Sequence, residues 1–275
     1  MNRSATRIAG LSWYESRPSG APALVFVHGN SSSAQTWRHQ FAGALATRYR
    51  LVALDLPGHG DSERAAPPEV GYALPGYAAS LLALVRTLAL EDAVFVGWSL
   101  GGHIVLEASA ALPRARGFVI FGTPPIGKPP QMDTAFLPHP AMRTAFVEEL
   151  SDNDIRDHVA AVLRPGVAPL PDEFITDMRR TDGRIRAAIG TSVAAGNYRD
   201  EIAIVGAMQT PLAVLHGIDE QLVALDYLQR QQMPSLWRGK VQVIAGAGHA
   251  PHWETPRAFD ALIDEFVQDT TGASS

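Results

Sequence analysis

The chain has 275 residues, of which 46% are hydrophobic and 19% charged, and its formal net charge is −5. This is ordinary globular composition in a chain long enough to bury a large core, which excludes extensive disorder. The acidic balance disfavours nucleic acid and anionic membranes as partners, and the absence of cysteine excludes disulfides, thiolate metal sites and a cysteine nucleophile.

The first ten residues contain no continuous apolar segment of signal-peptide length. No stretch of the sequence approaches the length of about 18 apolar residues that a membrane-spanning helix needs. We therefore predict a soluble, cytoplasmic protein with no membrane partner.

Strand and helix patterns alternate in the first part of the chain. Residues 8–15 alternate loosely, as an edge strand does, whereas 23–28 and 51–54 are continuous apolar runs typical of strands buried on both faces of a parallel sheet. Residues 34–47 and 77–90 carry apolar side chains at helical spacing.

The same alternation continues to the end of the chain, with one long interruption. Further strands are predicted at 93–96, 118–121, 212–216 and 241–245, and further helices after residue 99, at 223–232 and at 257–267. This order predicts the α/β class, with a mostly parallel central sheet flanked by helices and connected by right-handed crossovers.

The interruption, residues 126–208, contains proline-rich connections and amphipathic helical stretches but no strand-like run. Because the sheet pattern resumes afterwards, we predict a core domain, 1–125 and 209–275, and an inserted helical cap domain, 126–208. A cap of this kind covers the carboxyl ends of the strands, where ligands bind. The alternative is a second, unrelated helical domain.

A Gly-x-Ser-x-Gly turn connects the predicted strand at 93–96 to the following helix. Such a turn lifts the serine hydroxyl out of the sheet at the cost of a strained serine backbone, and Gly97 and Gly101 leave room for it. This makes Ser99 the candidate nucleophile. A glycine-rich loop without catalytic function is the alternative.

Acyl transfer also needs donors for the developing oxyanion. The segment after the strand at 23–28 supplies a glycine turn, and the backbone N–H groups of Asn30 and Leu100 are the predicted donors. Serines 31–33 could instead, or in addition, cap the helix that begins near Ala34.

A general base and an orienting acid should follow late strands. His249 follows a glycine-rich turn after the strand at 241–245, and we prefer it to His252, which precedes the last helix. Asp219 and Glu220 follow the strand at 212–216. Adjacent residues on a loop point in different directions, so only one of them can serve.

Together these residues resemble the α/β-hydrolase superfamily, with the order serine, acid, histidine. In that family the acid usually stands three residues after the glycine that corresponds to Gly217, with a valine-like residue three further on. The resemblance therefore implies Glu220 as the first choice, followed by Val223, and Asp219 as the second.

Five segments resemble more closely the metal-independent N-acyl-homoserine lactonases of this superfamily: 28–33, 55–60, 97–104, 122–125 and 180–184. This resemblance also implies a glutamate acid, no cofactor, no metal, and a small acyl lactone as substrate. The chain lacks the His-x-His-x-Asp-His cluster of metal-dependent lactonases.

An acyl chain needs an apolar wall, for which Trp37, Phe136, Phe146 and Val159 are candidates, and His158 is a candidate polar contact for the amide or lactone oxygen. Three alternatives stay open: a carboxylesterase, a carbon–carbon bond hydrolase of the same fold, and a signal-binding protein with negligible turnover. The fold alone does not fix the substrate.

Overall fold

One sheet of eight strands runs through the computed structural model, which describes residues 2–3, 7–16 and 22–272. The strands are β1 (Asn2–Arg3), β2 (Trp13–Glu15), β3 (Ala23–Val27), β4 (Arg50–Leu54), β5 (Val94–Trp98), β6 (Gly117–Phe121), β7 (Leu212–Gly217) and β8 (Gln242–Ile244). Their order is β1-β2-β4-β3-β5-β6-β7-β8. Strands β3 to β8 pair in parallel, and β1 and β2 form an antiparallel edge.

Helices connect the strands. The α-helices are α1 (Arg38–Ala42), α2 (Leu45–Arg48), α3 (Pro68–Gly71), α4 (Leu74–Thr87), α5 (Leu100–Ala108), α6 (Met132–Ala135), α7 (Asp152–Val162), α8 (Asp172–Arg180), α9 (Arg184–Ala194), α10 (Glu201–Ala207), α11 (Leu225–Arg230), α12 (Pro251–Glu254) and α13 (Pro256–Thr271). Short 3₁₀ helices lie at Ala34–Trp37, Ser109–Ala111, Pro140–Ala145 and Trp237–Gly239.

Both faces of the sheet are covered by helices. Val25 and Phe95 belong to a hydrophobic cluster that includes α4 and α5, whereas their neighbours Phe26 and Val96 belong to a second cluster that includes α13. Alternate residues of one strand thus enter opposite layers. This explains the continuous apolar runs and confirms the predicted α/β fold.

Two predicted elements differ most from those observed. The helix expected at 34–47 is divided into a 3₁₀ helix, α1 and α2, because Gly43 between α1 and α2 is extended, with φ −93° and ψ −170°. A Cβ at Gly43 would lie 2.8 Å from Asp260 Oδ2. The strand expected at 8–15 shortens to β2, preceded by a turn that an isolated bridge between Ile8 and Leu11 closes.

The chain changes direction across the sheet at β3, which lies between β4 and β5. Val27 at the end of β3 pairs with Gly97, and Trp98 at the end of β5 pairs with Phe121. In open α/β sheets the crevice at such a switch point, outside the carboxyl ends of the strands, is where ligands bind. The segments after Val27 and Trp98 therefore meet at one crevice.

Helices α6 to α10 lie in the insertion, residues 126–208, between β6 and β7. The insertion contacts the loops that follow β3 and β4: Ser33 Oγ donates to Asp177 at 2.6 Å, and Arg180 pairs with Asp61 at 2.8 Å. These contacts hold it over the carboxyl edge of the sheet. Its assignment as a separate cap domain stays a prediction.

None of the helices in the described ranges combines the length and the apolar character needed to cross a membrane.

Candidate active site

Ser99 occupies a strained turn between β5 and α5, with φ 53° and ψ −118°. The segment after β6 holds this turn. The Ser99 N–H donates to Phe121 O at 2.9 Å, and Ser99 O accepts from Thr123 Oγ1 at 2.8 Å and from the Gly102 N–H at 2.9 Å. Since a non-glycine residue in this conformation costs on the order of 1–3 kcal/mol, the surrounding bonds must maintain it.

Two glycines allow the turn to be this tight. A Cβ at Gly97 would lie 2.5 Å from Gly101 O, and a Cβ at Gly101 would overlap the carbonyl oxygen of Val27 in β3. Any side chain at either position would push α5 away from the sheet. The Gly-x-Ser-x-Gly spacing is thus explained by close backbone packing.

His249 follows β8 and reaches the same crevice. Its backbone oxygen accepts from Trp98 Nε1 at 2.8 Å, and its imidazole packs over Gly122, where a Cβ would lie 2.7 Å from Cε1. Ser99 and His249 line one cavity. No hydrogen bond within 3.5 Å joins their side chains in the described part of the chain; catalytic hydrogen bonds are often long before substrate binds.

His252 lies in the core. It is fully buried, its Nε2 lies 2.7 Å from Thr36 Oγ1, and its ring packs 4.6 Å from that of Trp37. Burial lowers its pKa well below the usual value. The structure therefore places His249 at the cavity and His252 in the core.

Glu220 orients the His249 ring. Its Oε2 lies 2.8 Å from His249 Nδ1, and its Oε1 accepts from the Leu222 N–H at 2.8 Å. Burial alone would raise the pKa of Glu220, but the charge and hydrogen bond of His249, with the Leu222 N–H, leave that pKa lowered. Asp219 is exposed, and its N–H donates to Ala247 O at 2.9 Å. The structure thus places Glu220, not Asp219, at the imidazole.

The turn that carries Asn30 is held by two buried histidines. Leu56 N–H donates to His28 Nε2 at 3.0 Å, and Ser31 N–H donates to His59 Nε2 at 3.2 Å. Burial lowers the pKa of His28 to about 4, so its ring is neutral and can accept this bond at physiological pH.

Asn30 and Leu100 both line the cavity with Ser99. Neither backbone N–H donates to another group within the residues that the structure describes. Gly29 lies close beside them, since a Cβ there would be 3.3 Å from Ser99 Cβ. Two donors at this place can serve an oxyanion. The nearby Ser33 also caps the 3₁₀ helix by accepting from the Gln35 N–H.

The cavity has a volume of about 120 Å³ and mostly apolar walls. Polar groups line the cavity at only a few positions, which is the usual composition of a ligand-binding site. Its apolar lining residues are Leu74, Trp98, Leu100, Ile126, Met132, Phe136, Ala141, Met142, Ala145, Phe146, Val162, Ile189, Val193 and Leu222.

Phe136, Phe146 and His158 line this cavity as expected, but Trp37 and Val159 do not. The expectation that Trp37 forms part of the wall is wrong. Trp37 is fully buried in the core on the other side of the loop, with its ring 4.9 Å from that of Phe26. Val159 is likewise buried, one position off the face of α7 that carries His158 and Val162.

His158 carries its proton on Nδ1. Thr144 Oγ1 donates to Ala141 O and lies 2.6 Å from His158 Nδ1, so Thr144 must accept from the ring. Burial, with the electrostatic influence of the neighbouring His249 and Arg186, lowers the pKa of His158 to about 4. The ring is therefore neutral, and Nε2 is an acceptor.

Two further residues of this region were absent from the sequence predictions. His103 lines the cavity and pairs with the buried Glu201, with Nδ1 2.9 Å from Oε1. His103 stands four residues after Ser99, a spacing that puts both on one face of a helix, so a signal for it existed. Glu201 lies in the insertion and had no comparable signal.

A family model for the alpha/beta hydrolase family matches residues 24–262. Solved structures of the N-acyl homoserine lactonase AidH have TM-scores of 0.92 with this chain. One, a complex with N-hexanoyl homoserine lactone, is 36% identical and covers 99% of both chains. Another, with N-butanoyl homoserine, is 36% identical and covers 100% of this chain and 98% of that one. The pimeloyl-[acyl-carrier protein] methyl ester esterase of Aeromonas hydrophila is 27% identical over 264 residues, 90% of this chain and 95% of that protein.

Proposed function

This chain belongs to the alpha/beta hydrolase family, and from that premise we propose that it opens the lactone ring of N-acyl-homoserine lactones. The observation that carries the proposal is the likeness to AidH, which extends over nearly the full length of both chains at 36% identity. An apolar cavity beside Ser99, His249 and Glu220 supports it, because an acyl chain needs an apolar wall.

In the first proposed step His249 takes the proton of the Ser99 hydroxyl, and Oγ attacks the lactone carbonyl carbon. The backbone N–H groups of Asn30 and Leu100 stabilise the resulting oxyanion. Glu220 keeps the proton of His249 on Nδ1, so that Nε2 is free to act as the base, and it stabilises the imidazolium that forms.

In the second step the carbonyl is restored and the ring C–O bond breaks, while His249 gives its proton to the leaving oxygen. Because the ester is cyclic, the alcohol stays attached, and an acyl-enzyme results. His249 then takes a proton from water, the hydroxide attacks the acyl-enzyme, and Ser99 leaves with that proton. The product is the N-acyl-homoserine, and the steps need no cofactor.

We assign substrate contacts within the cavity to Phe136, Phe146 and His158. The two aromatic rings would pack against the acyl chain. The neutral His158 would accept a hydrogen bond at Nε2 from the substrate's amide N–H, not donate to one of its oxygens as the sequence suggested.

The test is kcat/KM for a series of N-acyl-homoserine lactones beside simple aryl esters of matched chain length. We expect the lactones to be the better substrates. A clear preference for aryl esters, with lactones near background, would make the protein a carboxylesterase and overturn the proposal while leaving the hydrolase assignment intact.

A further inference from the structure

A second imidazole–carboxylate pair faces the cavity. Nδ1 of His103 lies 2.9 Å from each carboxylate oxygen of Glu201. The Glu201 side chain is fully buried, whereas 14% of the His103 side chain is exposed, and His103 lines the same cavity as Ser99. The reaction steps proposed above use neither residue.

Glu201 fixes which nitrogen of His103 carries the proton. The carboxylate also accepts from the Ile126 N–H at 2.8 Å, and the Glu201 N–H donates to Ile126 O at 2.9 Å, so its position is set from both sides. A carboxylate only accepts, so when the imidazole carries a single proton, that proton lies on Nδ1 and Nε2 is an acceptor.

No group of the described chain bonds to His103 Nε2. His103 stands four residues after Ser99, one turn into α5, and both residues line the cavity. A hydrogen-bond acceptor in an apolar wall is thus available one turn from the nucleophile. Burying the Glu201 carboxylate costs free energy, so packing alone does not account for this pair.

We infer that His103 determines acyl-chain specificity by accepting a hydrogen bond at Nε2 from a hydroxyl group on the third carbon of the chain. This inference rests on the proposed function. Five covalent bonds separate the lactone carbonyl carbon from that third carbon, so a substrate bound at Ser99 can present its chain to His103 in the same cavity. The oxygen of a 3-oxo group only accepts hydrogen bonds, so it would face the lone pair of Nε2 without forming a bond to it.

The experiment compares kcat/KM for N-hexanoyl-homoserine lactone and its 3-hydroxy and 3-oxo derivatives in the full chain. We expect the 3-hydroxy compound to exceed the other two by about 3- to 10-fold, the range of one net hydrogen bond. His103→Asn keeps a donor for Glu201 near the place of Nδ1 but has no atom at Nε2. It should bring the three values together, and the readout is the ratio of the 3-hydroxy to the unsubstituted lactone.

His103→Gln is the matched variant, because its amide reaches the place of Nε2 and should retain part of the preference. A purely structural pair gives the opposite pattern: all three lactones slow together in His103→Gln, and the ratios stay unchanged in His103→Asn. That result overturns the inference about His103 but leaves the proposed function intact. Equal kcat/KM values for the three lactones in the wild type would do the same. If no lactone is hydrolysed while aryl esters are, the proposed function fails, and the inference with it.

Discussion

Glu220 Oε2 lies 2.8 Å from Nδ1 of His249, although the two residues are 29 positions apart in the chain. The neighbouring Asp219 is exposed. The loop after β7 thus turns one carboxylate inward and the other outward, which provides a matched pair of variants.

We expect Glu220→Gln to lower kcat/KM by about 10³- to 10⁴-fold, because the amide no longer fixes the imidazole tautomer or stabilises the imidazolium. Asp219→Asn should leave kcat/KM close to that of the wild type. Steady-state kinetics on one lactone decides between them. A crippled Asp219→Asn beside an active Glu220→Gln would contradict the assignment of the acid.

His158→Phe should raise KM for N-acyl-homoserine lactones by about 3- to 10-fold, since one hydrogen bond to the substrate amide is lost. The control substrate is γ-butyrolactone, which has the ring but no acylamino group, and its KM should not change. An equal rise for both lactones would show that His158 shapes the cavity without contacting the amide.

Phe146→Ala should shift the preference toward longer acyl chains, because the ring lines the cavity and its removal enlarges the apolar space. The measurement is the ratio of kcat/KM for a long and a short lactone. Trp37→Phe is the control: it should lower the melting temperature, since Trp37 is fully buried, and leave that ratio unchanged. A shifted ratio in Trp37→Phe would show that Trp37 contributes to the cavity wall.

Two aspartates of the insertion should respond to pH with opposite signs. Burial raises the pKa of Asp177 from 3.8 to about 6, so the folded protein holds this proton more tightly than the unfolded chain, and stability falls as the pH rises through that window. The hydrogen bond from Arg184 lowers the pKa of Asp182 to about 2, so its contribution is present above the unfolded value of 3.8 and is lost as the pH falls toward 2.

Near neutral pH we therefore expect Asp177→Asn to stabilise the protein and Asp182→Asn to destabilise it, each on the order of 1–2 kcal/mol. The Asp177→Asn difference should shrink near pH 4, whereas the Asp182→Asn difference should stay close to its neutral-pH value there, because the Asp182 contribution is lost only as the pH falls toward 2. Urea unfolding at the two pH values measures them. Destabilisation by Asp177→Asn at neutral pH would mean that its bond to Ser33 outweighs the cost of burying the charge.

The parallel strands could be predicted from the sequence because a strand buried on both faces must be continuously apolar, as β3 and β5 are. The turn at Ser99 was visible for a related reason, since only glycine fits at 97 and 101. These sequence patterns predict only local structure. They set the ends of the strands, and the parallel register then brings those ends together.

Contacts between distant segments were beyond the sequence. Helical periodicity showed that Trp37 is on a buried face, but not that the face packs on α13 rather than on a ligand. The pairing of His103 with Glu201 spans 98 positions and depends on how the insertion folds back. The choice of Glu220 over Asp219 needed a family spacing, because both residues are acidic and adjacent.

The most direct test of the account is titration of the protein with a fluorophosphonate, in which intact mass and lactone hydrolysis are followed in the same samples. We expect one label per chain, residual lactone hydrolysis that falls in proportion to the labelled fraction, and neither labelling nor turnover in Ser99→Ala, whose kcat should drop about 10⁴-fold or more. Full labelling of Ser99 with lactone hydrolysis unchanged would contradict the account.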